Sequence, residues 1–244
     1  MSGHSKWANN KHKKMKNDAA KQSLWGKIAK EITVAAKMGG GDMNSNPRLR
    51  AAMLKARSNS MPNRNIESAI AQGVGGGDTS TMEALVYEGY GPAGTAFIVT
   101  TLTDNKTRTV ASIRNIFSKA GGTMGETNSV SWGFKLCGQI IVEKDKVDEE
   151  KLMEIALENG AEDIDDSGEN FEIITSFADF DTLSKAFEAA NIPMLDAETG
   201  YIPTNTVAVD AEAAKKVQNL VDKFEENDDV QDVYHNADFG DLEL

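Results

Sequence analysis

Apolar residues in the first seventy positions recur at helical spacing. Leu24, Ile28, Ile32 and Ala35 or Ala36 form one stripe across residues 24–38, with Lys27, Lys30 and Lys37 on other faces. Gly39-Gly40-Gly41 ends this helix, because glycine accepts the left-handed backbone found at helix ends. Asn46-Pro47 offers an N-cap followed by proline at the first helical position. Leu49, Ala52, Met53 and Ala56 make the buried stripe of the second helix, and Arg48, Arg50, Lys55 and Arg57 lie off it. A third helix is predicted from Met61-Pro62 through Ile66, Ala69 and Ile70, and it carries Arg64. Three short helices with apolar stripes predict a small bundle. Residues 73–80, GVGGGDTS, then read as a flexible joint. They follow no strand and lack the Gly-Lys-Ser/Thr ending of a phosphate loop.

Past residue 80 the period becomes strand-like. Ala84 to Tyr90 alternates, and Ala96 to Leu102 (AFIVTTL) is apolar and β-branched, as a central strand requires. Helices are predicted at 107–119, 148–159, 181–191 and 211–226, each with an apolar face. Further strands are predicted within 130–142 and at 171–177, 206–209 and 230–234. This alternation predicts α+β architecture, with two small sandwiches of the split-βαβ, ferredoxin-like type behind the helical bundle.

Charge divides the chain as sharply as periodicity does. The net charge is −12, but Met1 to Gln72 holds fourteen Lys or Arg against four Asp or Glu, a balance of +10. The remainder holds twelve against thirty-four, a balance of −22. Such asymmetry points to an anionic partner met at the N-terminal end and repelled elsewhere. Lys6, Lys11, Lys13, Lys14, Lys16 and Lys21 accompany Trp7 and His12. Point charges beside stackable rings suit phosphate backbones and exposed bases. With Arg48, Arg50, Lys55, Arg57 and Arg64 they form the expected nucleic-acid-binding set. The start of the chain has no secretory pattern, no apolar run reaches the ~20 residues that span a bilayer, and a single cysteine cannot staple a secreted scaffold. A cytoplasmic protein is expected.

No catalytic constellation emerges. The three histidines match no metal-site spacing, and the acidic runs at 162–166 and 225–229 fit no calcium loop. Cys137 reads as a packed thiol and His235 as a structural residue. No metal and no cofactor are expected. Two segments stay open between function and structure: Tyr87-Glu88-Gly89-Tyr90-Gly91-Pro92, and the strand-to-helix junction Thr103–Thr109. In the second, Arg108 at a helix start suits an anion, while Asp104 or Asn105 suits a plain helix cap.

Gly3-His4-Ser5-Lys6-Trp7-Ala8-Asn9, Lys11-His12-Lys13, Gly39-Gly40-Gly41-Asp42, Asn46-Pro47-Arg48-Leu49-Arg50, Tyr87–Pro92, Thr103-Asp104-Asn105 with Arg108-Thr109-Val110, and Asp232-Val233-Tyr234-His235-Asn236 together resemble the YebC family. The resemblance covers nearly the whole chain. It departs at Asn10, at Gln22-Ser23-Leu24-Trp25 and at Gly133. It implies three domains around a central cleft: a basic arm and helical bundle at 1–76, a discontinuous α+β domain at 77–133 with 203–244, and an α+β domain inserted at 134–202. Tyr90, Asp104, Asn105 and Arg108 become candidates for the cleft. The resemblance further implies a non-enzymatic regulator that binds DNA and controls transcription. The alternative it implies is a translation factor on ribosomal RNA, easing synthesis stalled at proline-rich stretches. A cleft enzyme is the least favoured class. The expected partners are therefore DNA or the ribosome, with no membrane and no small-molecule substrate.

Overall fold

The computed structural model describes residues 18–76, 82–240 and 242. The chain divides into two compact units, Met1–Gly77 with Leu136–Gly200, and Asp78–Lys135 with Tyr201–Leu244. The architecture is α+β with an N-terminal helical region, as the periodicity predicts.

The first unit opens with helices α1 (Asp18–Gly39), α2 (Pro47–Ser58) and α3 (Asn63–Val74). Ile28, Ile32 and Ala35 from α1 meet Leu49, Ala52 and Ala56 from α2, and Ile66 and Ala69 from α3, in one buried cluster. Asn46 fastens this bundle. Its Oδ1 accepts the Leu49 N–H (3.1 Å) as N-cap, and its Nδ2 donates to the carbonyls of Ala35 (2.8 Å) and Gly40 (2.9 Å). One buried amide thus satisfies the end of α1 and the start of α2. The predicted joint begins later than its glycines suggest. Gly73 lies inside α3, buried, where an added Cβ would stand 2.4 Å from the Thr33 carbonyl oxygen. Glycine here permits close helix crossing.

The same unit contains most of a second run of elements, whose first and last strands begin and end in the other unit: β4 (Phe134–Glu143), α5 (Glu149–Glu158), β5 (Ala161–Asp165), β6 (Asn170–Ser176), α6 (Phe180–Ala189) and β7 (Asp196–Pro203). Its sheet runs β5-β6-β4-β7. Helices separate β4 from β5 and β6 from β7, which is the split-βαβ order. Ile140, Phe171 and Ile173 of the sheet pack with Leu152, Phe180, Leu183 and Phe187 of the two helices. The acidic residues Glu162 and Asp163 belong to strand β5 rather than to a loop. As an edge strand it leaves them exposed. Cys137 is buried, its Sγ 3.7 Å from the Gly200 carbonyl, a packed thiol.

The second unit contains β1 (Glu83–Tyr90), β2 (Ala96–Thr103), α4 (Lys106–Lys119), β3 (Thr123–Met124), β8 (Val207–Ala208), α7 (Ala211–Glu225), β9 (Val230–His235) and β10 (Ala237–Asp238). Its main sheet runs β3-β1-β2-β9. Here β1 and β2 form a hairpin directly, through the turn that begins at Gly91. Phe97 and Val99 face α4 and α7, where Ile113, Phe117, Val217, Leu220 and Phe224 complete the core. The Phe117 and Phe224 rings meet edge-on at 4.8 Å. The glycines of the segment 87–92 serve this packing. A Cβ on Gly91 would lie 2.5 Å from the Phe97 ring, and one on Gly89 2.6 Å from the Thr123 carbonyl oxygen.

Candidate nucleic-acid interface

The expected contact residues Lys6, Trp7, Lys11, His12, Lys13, Lys14 and Lys16 lie outside the described residues. The cations that are described separate into two groups, according to what their charge already meets.

Arg50 is withdrawn from solvent. It is 2% exposed, its Nη1 donates to Glu188 (2.9 Å), its Nε stands 3.0 Å from Asp181, and its Nη2 donates to Asn44 (3.2 Å). Lys55 is largely buried, with Nζ 3.7 Å from Glu198. Both therefore leave the set of surface cations that the pattern predicts. They leave for one reason: α2 packs on both sides. Leu49, Ala52 and Ala56 face the bundle, and Leu54, with Ala51, joins the core of the inserted sheet. Arg50 and Lys55 stand beside Leu54 and meet that segment's carboxylates. Arg48 is half-exposed and held by Glu31 through Nε (2.6 Å) and Nη2 (3.1 Å). These bonds raise its pKa against the opposing effect of burial.

Arg57 and Arg64 are exposed, and Lys21 is partly so. Arg57 ends α2 and Arg64 opens α3, on either side of the turn at 59–62. The Trp25 indole N–H donates to the Asn59 carbonyl in that turn (3.0 Å). Lys21 lies one helical turn before Trp25 on α1. The bundle thus gathers Lys21, Arg57 and Arg64 at one end. Sequence periodicity placed Arg57 and Arg64 on separate helices. Trp25 supplies the tie that brings Lys21 to them.

The cleft candidates fall in the second unit. Asn105 is the N-cap of α4, its side chain accepting the Arg108 N–H at 3.0 Å. The Arg108 guanidinium donates to Asp229 (Nη2 to Oδ2, 2.8 Å) and to Asp104 (2.8 Å). Asp229 also accepts from the Thr109 hydroxyl (2.8 Å). Two carboxylates already occupy the arginine, so the junction is a capped helix start clasped to the end that precedes β9 rather than an anion site. Tyr90 is partly exposed, and its hydroxyl donates to the Ser129 carbonyl (3.2 Å).

Glu88, whose role no local sequence signal marks, is buried and accepts three backbone N–H groups, from Asn128, Val130 and Ser131, each at 2.8 Å. Burial raises its pKa, but these donors prevail and hold it below the ordinary glutamate value. It fixes the loop before the short 3-10 turn Ser131–Gly133. His235 packs between Phe97 (5.6 Å) and Phe239 (5.5 Å), and its Nδ1 accepts the Ala237 N–H (3.2 Å). Burial lowers its pKa to about 4, so it is neutral at physiological pH. Among the described residues no helix is long and apolar enough to cross a membrane.

Comparison with known proteins covers the same ground. A family model described as the TACO1/YebC protein N-terminal domain matches residues 5–76, and one described as the TACO1/YebC second and third domain matches residues 82–237. A "probable transcriptional regulatory protein" of Thermoanaerobacter pseudethanolicus is 49% identical over 242 residues, covering 99% of this chain and 98% of that relative. A protein of the same description from Geobacter sulfurreducens is 48% identical over 244 residues, covering 100% and 98%. The crystal structure of a conserved hypothetical protein from Aquifex aeolicus superposes with a TM-score of 0.80 at 38% identity, over 93% of this chain and 94% of that one.

Proposed function

The chain belongs to the TACO1/YebC family, and from that premise we propose that it is a non-enzymatic regulator of gene expression that binds DNA through the basic end of its helical region. The observation that carries this reading is the set of Lys21, Arg57 and Arg64 around the α2–α3 turn. Arg57 and Arg64 are exposed and Lys21 partly so, whereas Arg48, Arg50 and Lys55 of the predicted set already face carboxylates among the described residues. Lys21 follows the lysine-rich residues 6–16 closely in sequence. The names of the relatives, which describe transcriptional regulators, support the same reading. Contacts of this kind grip phosphates and supply affinity before sequence specificity.

The acidic remainder of the chain favours a second reading, with ribosomal RNA as the polyanion. A −22 body repels long free duplexes, whereas a short basic end reaches into an assembled particle. Fluorescence anisotropy with a 20-base-pair DNA duplex and with a hairpin RNA, over a salt series, tests both. The DNA reading requires tight duplex binding that weakens steeply with salt and is lost on charge reversal of Arg57 and Arg64. Retention of the RNA alone, with ribosome co-sedimentation resistant to DNase, moves the conclusion to translation. Binding to neither, or binding indifferent to the charge reversals, ends both.

A further inference from the structure

Among the described residues, strand β1 is open along most of its outer edge. It pairs with β2 from Glu83 to Tyr90 but with β3 only at Gly89 and Tyr90. The Glu88 carbonyl accepts the Gly125 N–H on the outer side (2.8 Å). By the two-residue period of a strand, Val86 and Ala84 direct their backbone groups the same way. Beyond Gly125 the chain swings off, leaving a cavity of about 360 Å³ lined by Leu85, Val86, Tyr87, Glu88, Lys106 and Met124 to Thr127. The buried Tyr87 hydroxyl has no hydrogen-bond partner among the described residues. Open edges of this kind usually carry proline, lysine or a bulge as protection. This one carries none of them from Glu83 to Glu88.

Beside the edge stand two exposed rings. Tyr90 is 41% exposed and Trp132 72% exposed, and both direct their polar hydrogen to the Ser129 carbonyl, at 3.2 and 3.0 Å. Glu88 pins the loop that carries Ser129 and Trp132. The rings are thus held with their polar atoms already satisfied and much of their surface open. Val86, 47% exposed, shares the strand face of Glu88 and Tyr90. Glu83 and Glu126 are exposed near the two ends of the edge. The unit as a whole holds sixteen Asp or Glu against eight Lys or Arg. A polyanion is repelled here.

We infer that the outer edge of β1 binds an extended, basic peptide segment of a partner protein, which adds as a strand at Ala84 and Val86 while its cationic side chains meet Tyr90, Trp132 and the flanking carboxylates. Main-chain pairing supplies affinity, and rings and carboxylates supply the choice of a cationic chain. This site shares no residue with the proposed nucleic-acid end, and its test does not depend on that reading.

The probe is a fluorescein-labelled acetyl-Arg-Val-Arg-Val-Arg-Val-amide, titrated by anisotropy into the full chain. Controls are the Glu-Val counterpart, a version N-methylated at alternate residues, and a single-stranded oligonucleotide. The expected result is saturable binding of the basic peptide, at least tenfold weaker for the acidic and N-methylated peptides, with amide shifts in NMR at Ala84 and Val86. Trp132→Ala is expected to weaken binding about fivefold to tenfold. Val86→Pro removes an outward N–H from an edge strand, where proline is tolerated, and is expected to abolish binding without changing the circular dichroism spectrum. Glu126→Lys gives a second, surface-only variant. Equal binding of the N-methylated peptide, full affinity in Val86→Pro and Glu126→Lys, no binding at millimolar peptide, or competition by the oligonucleotide at these residues each overturns the proposal.

Discussion

The Arg50 guanidinium donates to Glu188 at 2.9 Å, across 138 positions of sequence. A cation that lies off the apolar stripe of its helix therefore serves as a clasp between α2 and α6. The consequence is a separation of roles among residues of identical type. Arg50→Met should lower unfolding stability by about 2–4 kcal/mol, since it leaves the partly buried Glu188 carboxylate without this donor and Asp181 with Lys185 alone. Measured on folded protein, its affinity for a DNA duplex should match wild type. Urea titration and anisotropy on the same preparation check both halves.

Arg57 and Arg64 are expected to behave in the opposite way. The double change to glutamine should leave the urea midpoint within about 0.5 kcal/mol of wild type, as for exposed positions. It should reduce duplex affinity and lower the slope of log affinity against log salt by about 1 to 2. A slope identical to wild type would remove these residues from the interface.

Asn46 closes two helix ends with one side chain. Asn46→Ala deletes an N-cap and leaves the Ala35 and Gly40 carbonyls short of a donor. The expected loss is about 2–4 kcal/mol, read from thermal or urea unfolding. Asn46→Asp should recover only part of it, because aspartate restores the cap acceptor but cannot donate to the carbonyls.

Gly73→Ala tests whether this glycine is a hinge or a packing residue. A hinge residue would lose mobility and gain or keep stability. The 2.4 Å approach to the Thr33 carbonyl oxygen predicts instead a loss of about 1–3 kcal/mol as α1 and α3 move apart.

His235 sets a pH dependence. Its folded pKa of about 4 lies below the unfolded value of 6.5. The unfolded chain therefore binds the proton first as pH falls. The stability contributed by the neutral ring is complete above pH 6.5 and disappears progressively toward pH 4, by about 3 kcal/mol in total. His235→Gln keeps a side-chain acceptor for the Ala237 N–H and should flatten this part of the stability–pH curve relative to wild type.

Legibility in the sequence followed the physics of each segment. The stripe Leu49, Ala52 and Ala56 and the pair Asn46-Pro47 are local signals, and α2 begins where they place it. So are Asn105 at α4 and the acidic start of α5. Strand β7 carries Asp196, Glu198 and Gly200, and β5 carries Glu162, Asp163 and Asp165, so neither shows the apolar alternation that marks a strand. Pairing makes them strands: β5 joins the sheet through its antiparallel partner β6, the next strand, and β7 through β4, which precedes it by a helix, two strands and a second helix, far along the chain. The same distance hides the role of Arg50 and Lys55. Position on a helix wheel reports which residues avoid the nearest core, not whether a second core waits on the other side. Arg108 is equally ambiguous in the sequence, because Asp229, which it meets in the fold, stands 121 residues later.

Gly133 and Thr204 meet through one backbone hydrogen bond of 2.9 Å. From the standpoint of the sheet that holds β1 and β2, the roughly seventy residues between them form an excursion whose two feet already touch. Because ring-closure entropy grows only logarithmically with length, descendants can enlarge, trim or replace that excursion without disturbing the register beneath it. Variation in domain size within such a lineage should therefore accumulate between these two positions, and the hairpin of β1 and β2 should hold its length.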